Sequence, residues 1–294
     1  MKVLFVVNTK SGSRLEDNLK TIIQSDAENK NYEYQIYDLP DPILEKEILK
    51  KINLYKPDVL AAAGGDGTIN LIASLIHKTP LPLLIIPTGS ANGMASELKI
   101  GNKIDYALSL LTDGVEQHID VLKINNKICI HLADVGLNAR IVKRFEEDPE
   151  RGIWIYAKYL FREVFLIKKN KFIITIDGKK IKLHAVSLTF ANASKYGTGA
   201  VINPIGKIDD GKFELVVVKP FPRIKLLSIA WKMFTNNLHT SEYVQVYSCS
   251  KLHIHASKST TLQIDGEIIG KVREIQAEII SSCLTLLVPP PVAE

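Results

Sequence analysis

Apolar positions along the first 120 residues switch repeatedly between two spacings. A continuous apolar run at 3–7 has strand length, 15–24 follows with helical spacing, and 34–37 is a second strand. Ile43, Leu44, Ile48, Leu49 and Ile52 mark a helix over 43–54, before a strand at 59–63, a helix at 68–77, a strand at 83–86 and a helix at 91–98. Such alternation predicts an open, largely parallel α/β sheet. Beyond position 120 the character changes to short alternating runs, at 128–133, 172–176, 181–190, 213–219, 243–249, 252–256, 261–264, 273–280 and 285–288. Asp177-Gly178 is a hairpin turn signal between two of them. These runs predict a β-sandwich, interrupted by helical stretches near 156–167 and 224–234. In the second stretch, Trp231 with Leu226, Leu227, Ile229 and Phe234 is expected to pack against the sandwich rather than face lipid. The predicted organisation is an α/β domain over 1–120 and a β-sandwich domain over 121–294, the extreme C-terminus returning to the first, with the active site in a cleft between them.

At 294 residues the chain exceeds the usual size of a single core, in keeping with two domains. A net charge of +5 is too small to argue for nucleic acid. A local excess lies at Arg162, Lys168, Lys169, Lys171, Lys179, Lys180 and Lys182, against Glu163 and Asp177. A solvated strand face is its first reading, and attraction to anionic lipid headgroups its second. Three widely spaced cysteines, Cys129, Cys249 and Cys283, fit neither a disulfide framework nor a zinc site, and so fit a reducing, cytoplasmic setting. The first strand is too short for a signal-peptide core, and no stretch approaches the roughly 18 apolar residues of a membrane span, so membrane contact is expected to be peripheral. His253 and His255 share one face of a strand without an evident third ligand, which favours ordinary histidines over a metal pair.

Candidate chemistry gathers in loops. Gly64-Gly65-Asp66-Gly67-Thr68-Ile69-Asn70 follows a buried strand and opens a helix, where glycines admit a close ligand and free amides favour phosphate oxygens. Asp66 would repel a phosphate directly, so it is expected to hold a metal or metal-bound water. Pro87-Thr88-Gly89-Ser90-Ala91-Asn92-Gly93 repeats that logic, with Asn92 as helix cap or nucleotide ligand. Asn8-Thr9-Lys10-Ser11-Gly12 follows the first strand. In a parallel sheet all three loops fall at the carboxyl ends of strands, where such sheets bind ligands. Their convergence carries the inference.

These loops resemble those of the diacylglycerol kinase catalytic-domain family, which includes sphingosine kinases and small bacterial lipid kinases. Phe190-Ala191-Asn192-Ala193-Ser194-Lys195-Tyr196-Gly197-Thr198-Gly199, Asn203-Pro204, Asp209-Asp210-Gly211-Lys212-Phe213 and Gln263-Ile264-Asp265-Gly266-Glu267 follow in the order of the bacterial lipid kinases. The resemblance spans essentially the whole chain. It implies an ATP- and Mg2+-dependent kinase that phosphorylates a lipid hydroxyl at a membrane surface, diacylglycerol-like in the first instance. By that resemblance ATP is held by Asn8, Thr9, Lys10, Ser11, Gly12, Gly64, Gly65, Asp66, Gly67, Thr68, Ile69, Asn70, Leu71, Gly89, Ser90 and Asn92. A structural magnesium ion falls to Asp210 with the carbonyls of Lys207 and Lys212, and proton acceptance to Glu267 beside Asp265, with Asp66 also in the catalytic set. Asp265 and Glu267, two apart on an extended chain, are expected to face one side. Read locally, Asp265-Gly266 is a hairpin turn and Asp209-Asp210-Gly211 an ordinary turn. An NAD kinase would share the Asp66 loop but not the later motifs. A nucleotide- or lipid-binding module without turnover draws its support from Gly93, which stands where diacylglycerol kinases usually carry aspartate.

Overall fold

The computed structural model describes residues 1–8, 13–137, 139, 169–196 and 199–291. It divides into two compact units, Met1–Ile119 with Ser282–Glu294, and Asp120–Ser281.

The first unit runs β1 (Lys2–Val7), α1 (Ser13–Lys30), β2 (Glu33–Asp38), α2 (Glu45–Tyr55), β3 (Val59–Gly64), α3 (Asp66–Ile76), β4 (Leu83–Pro87), α4 (Gly93–Glu97) and α5 (Ile104–Asp113). β1 pairs in parallel with both β2 and β3, and β3 with β4. The chain therefore leaves β1 toward one edge through β2 and toward the other through β3 and β4, which makes the β1/β3 boundary the topological switch point. β3 and β4 are buried at every residue, because helices cover both faces of a parallel sheet. Ile23, Ile48, Ile72, Ala73 and Leu108 supply the apolar cover. Helix α5 has no counterpart among the predicted elements: its N-cap is Lys103, which makes no side-chain cap bond, so it starts without the polar signal that marks a helix start.

The second unit is built from β5 (Val115–Ile124), β6 (Lys127–Cys129), β7 (Leu132–Gly136), β8 (Asn170–Ile176), β9 (Lys179–Ala185), β10 (Ser187–Ala191), β11 (Phe213–Val218), α6 (Leu226–Phe234), β12 (Val244–Cys249), β13 (Lys251–Ile264) and β14 (Glu267–Val288). β5 enters from the first unit, and the end of β14 runs back into it, where Leu286 pairs in parallel with Leu83 of β4. Antiparallel pairing orders β12-β11-β10-β7-β13-β14, with the β8–β9 hairpin against β13. The Asp177-Gly178 turn closes that hairpin with positive φ at both residues, 49° and 76°, as a two-residue primed turn requires. Alternation along β11 feeds two cores. Phe213, Leu215 and Val217 join Phe172, Phe190, Ile254 and Ile275, while Val216 joins Leu132, Ile202, Ile229 and Leu238.

The structure differs from the predicted elements at four places. The runs at 252–256 and 261–264 are one strand, because Ser257-Lys258-Ser259 makes a register shift between His255 and Thr260 rather than a turn. The run at 181–190 is two strands, and so is that at 128–133. The expectation that Trp231 and Phe234 pack inward fails: α6 turns Ile229 to the core and leaves Trp231 and Phe234 exposed, since a helix laid on a sheet buries one face only. The helix expected at 156–167 and the basic residues Arg162 and Lys168 lie outside the described residues.

Burial makes a prediction about the thiols. Desolvation raises Cys129 well above its ordinary range and pushes Cys249 up to about 12, so both stay protonated and unreactive. In the native protein at pH 8, a chromogenic thiol reagent is expected to modify at most one of the three cysteines rapidly, that one being the half-buried Cys283. Rapid labelling of Cys129 or Cys249, mapped by peptide mass, would contradict this core.

Candidate active site

Two glycine-bearing loops meet at the carboxyl ends of β3 and β4. A Cβ placed on Gly89 would overlap the backbone of Gly65, and one on Gly64 would lie 2.5 Å from the Thr68 side chain, so both positions need glycine for packing. The Thr68 hydroxyl accepts a 2.8 Å bond from Asn8 Nδ2, which ties the end of β1 to the first turn of α3. Thr88 N–H donates to Gly64 O at 3.1 Å and Asn8 N–H to Ala63 O at 2.9 Å, so the three strand ends are laced together.

Asp66 is the clasp between these loops. Its carboxylate accepts N–H bonds from Gly93 (3.0 Å) and Met94 (3.2 Å), the first residues of α4. A carboxylate at a helix start satisfies orphan donors and complements the helix dipole. This is a local structural use for Asp66 that its place among glycines did not reveal. Asn92 is buried in the left-handed region (φ 48°) and makes no side-chain cap. Its amide instead brackets Gly89, accepting from Gly89 N–H at 2.9 Å and donating to Gly89 O at 2.8 Å, and it also donates to Asn102 Oδ1 at 3.1 Å. Ile69 is core. Gly65, Gly67, Asn70 and Leu71 are half-buried and Ser90 is exposed, while the buried Asn70 Oδ1 has no hydrogen-bond partner among the described residues. Thr9, Lys10, Ser11 and Gly12 lie outside the described residues.

The other candidate residues belong to the second unit. Asp265 and Gly266 form the two-residue turn joining β13 to β14, with φ of 46° and 90° and Ile264 paired to Glu267. The turn sets the two acids differently from an extended chain. Asp265 is only 4% exposed, whereas Glu267 is exposed. The Asp265 carboxylate accepts from the N–H groups of Ile130 (2.9 Å), His131 (3.1 Å) and Leu132 (3.0 Å) and from the Cys129 thiol (3.3 Å). Burial pushes this carboxyl up, against the downward pull of nearby His131 and of these donors.

Asp210 is exposed and accepts from Lys212 N–H at 3.0 Å through one carboxylate oxygen. Its turn is pinned from beneath by the fully buried Asp120, whose carboxylate accepts from Gly211 N–H at 2.6 Å and whose N–H donates to Ile208 O at 2.7 Å. Asn192 Nδ2 bridges Asp120 O (2.9 Å) and Ile130 O (3.0 Å). A continuous path of hydrogen bonds thus runs from the Asp210 turn through Asp120 and Asn192 to the segment that holds Asp265.

A second buried network went unforeseen. Asp134 on β7 accepts from Thr189 Oγ1 (2.5 Å), Tyr196 Oη (2.9 Å) and Gln263 Nε2 (2.5 Å), and Gln263 Oε1 in turn accepts from Gly266 N–H at 2.8 Å. Asp120 and Asp134 each sit in an apolar run, and a lone acid interrupting a buried strand was the signal available.

Comparison with known proteins agrees across both units. The model of the diacylglycerol kinase catalytic domain matches residues 2–124, and that of the YegS C-terminal NAD kinase beta sandwich-like domain matches 132–288. The chain belongs to the diacylglycerol kinase family. Among curated relatives, a diacylglycerol kinase of Staphylococcus aureus (strain JH9) is 28% identical over 253 residues, 83% of this chain and 79% of that protein. An uncharacterised protein of Synechocystis is 25% identical over 260 residues, and the match spans 83% of this chain but 59% of the relative's length. A crystal structure from Bacillus anthracis str. Sterne superposes with a TM-score of 0.79 at 23% identity, covering 99% of this chain and 98% of that one. A structure described as a diacylglycerol kinase from the same organism gives 0.74 at 20%. At these identities the superpositions establish the fold.

Two substitutions separate anchoring from exposure in this family member. Asp265→Ala removes the acceptor of three buried amides and is expected to cost about 3 kcal/mol or more, while Glu267→Gln stays within about 0.5 kcal/mol, both read from urea denaturation. Asp66→Ala is expected to lose about 1–2 kcal/mol through the start of α4, with Asp66→Asn recovering part of it. Equal stability of Asp66→Ala and the parent would mean that the clasp contributes nothing.

Proposed function

We propose that this protein transfers the γ-phosphoryl group of ATP to a lipid hydroxyl, with a diacylglycerol-like acceptor first among candidates. The observation that carries the reading is the position of the Gly64–Asn70 loop at the switch point between β1 and β3, in a chain whose two matched domains are those of the diacylglycerol kinase family. A strand–glycine–helix turn offers free amides to phosphates, and the Asn70 Oδ1 without a partner among the described residues is an acceptor for a nucleotide donor group. In this reading Asn8, Gly64, Gly65, Gly67, Thr68, Leu71, Gly89 and Ser90 line or shape the nucleotide site. Asp66, Asn92 and Ile69 act through loop geometry instead.

Glu267 is assigned the proton from the acceptor hydroxyl. It stands exposed beside a turn fixed by Asp265 and Gln263, which suits a base that must reach a substrate while its backbone stays still. Asp265, already the acceptor of four donors, is assigned to positioning. For a divalent ion the candidate donors are the Asp210 carboxylate and the carbonyls of Lys207 and Lys212. An all-oxygen set on an exposed turn with one carboxylate fits a hard cation such as Mg2+. Such an ion would stiffen the turn above Asp120. Phosphoryl transfer rests on positioning and charge neutralisation, which rigid loops of this kind supply. Among the described residues no helix is long and apolar enough to cross a membrane, so the proposed meeting with lipid is peripheral.

The test is transfer of radiolabelled phosphate from ATP into a total lipid extract, with NAD as a parallel acceptor and identification of the labelled product. Label is expected in a phosphatidic-acid-like lipid, and label in NAD alone would overturn the proposal. Glu267→Gln is expected to lower turnover about 10²–10⁴-fold with nucleotide affinity little changed. Asp210→Ala is expected to abolish thermal stabilisation by Mg2+.

A further inference from the structure

The helix α6 carries apolar residues on both sides. Ile229 faces the core, with Met233 packed beside it. Two residues round the helix, on the opposite side, Trp231 is 71% exposed and Phe234 59% exposed, while Ile224, seven residues before Trp231 on the 3₁₀ turn Arg223–Lys225 that leads into α6, is 85% exposed. Soluble surfaces rarely gather three large apolar side chains on one helix and the turn that leads into it, uncovered among the described residues, without a use for them. The segment 223–234 also contains Arg223, Lys225 and Lys232 and no acidic residue. Lys225 is exposed, and the Lys232 ammonium is held by the Thr240 carbonyl (3.1 Å) and hydroxyl (2.9 Å).

We infer that this face is the membrane-docking surface of the protein, with Trp231, Phe234 and Ile224 entering the headgroup–acyl boundary of an anionic bilayer and Lys225 meeting its phosphates. The composition fits a bilayer better than a protein. Tryptophan favours the interface, where its ring and its N–H meet different surroundings, and basic residues flanking an apolar helix face are the pattern of helices that lie in the interface plane. Size points the same way. Nine residues of helix extend roughly 14 Å and, at a diameter of about 10 Å, present a strip of roughly 140 Å², far below the about 800 Å² per partner that a stable protein interface covers. A lipid surface has no such minimum, because it wraps whatever is inserted. The inference gives the lipid-acceptor reading its route to substrate, yet it concerns binding alone.

Vesicle co-sedimentation of the full chain, without nucleotide, tests it. The parent is expected to sediment with equimolar phosphatidylglycerol–phosphatidylcholine vesicles, and more weakly with pure phosphatidylcholine or at high salt. In the variant combining I224S, W231S and F234S, the lipid needed for half-maximal binding is expected to rise at least ~10-fold. K225E is expected to weaken the preference for anionic vesicles. These side chains are exposed, and unchanged thermal melting of each variant verifies the fold. Phosphate transfer to a monomeric short-chain acceptor stays at the parent level in the triple variant, so a protein that binds vesicles but transfers no phosphate would sink the kinase proposal and leave this one standing. Undiminished vesicle binding by the triple variant, or none by the parent, would overturn the inference. A parent that dimerises in sedimentation velocity through these residues but ignores vesicles would overturn it too, marking a contact between two copies.

Discussion

A loop that enters a folded interior carries its amide groups with it, and each buried N–H needs an acceptor. This protein meets that demand with aspartates at three loop junctions. Asp66 takes the first amides of α4, Asp120 takes Gly211 N–H, and Asp265 takes three consecutive amides from Ile130 to Leu132. Each carboxylate fixes a segment distant in sequence, with separations from 27 residues for Asp66 to 135 for Asp265. Charge-assisted bonds to backbone are stronger than neutral ones, and a carboxylate left without them in the interior would be costly, so each cluster holds together as a whole.

That arrangement changes how acidic residues in this family member are to be understood. An aspartate beside a proposed catalytic residue invites a chemical role, yet Asp66 and Asp265 already have their oxygens on backbone donors. Their contribution is geometric: Asp66 sets the spacing of two glycine loops, and Asp265 with Gln263 sets the turn beside Glu267. Exposed Glu267 and Asp210 keep the freedom that a base or a metal ligand requires. Acids bonded to backbone build the scaffold, and exposed Glu267 and Asp210 lie on the turns that Asp265 and Asp120 support.

The alternation of strand and helix up to position 98 was legible because burial on both faces of a parallel sheet leaves continuous apolar runs. The glycine turns were legible as well, and Asp177-Gly178 closes the hairpin it announced. Less visible was anything that depends on what an interruption means. Ser257-Lys258-Ser259 interrupts the alternation like a turn but makes an irregularity within one strand. Asp134 looks like a break in an apolar run, and its partners Thr189, Tyr196 and Gln263 are 55 to 129 residues away. Trp231 has the same neighbours in sequence whether it faces the core or the solvent.

What the sequence determined by itself is local and periodic: the element types, the glycine-rich strand ends, the two-residue turns, and the family to which the motifs together belong. Only the tertiary structure decided which acid is buried and which exposed, which face of α6 is left uncovered, and that Asp66 reaches the start of α4. Those outcomes turn on contacts between residues far apart in the chain. A carboxylate's role is fixed by the donors that folding brings to it, and its sequence neighbours do not encode them.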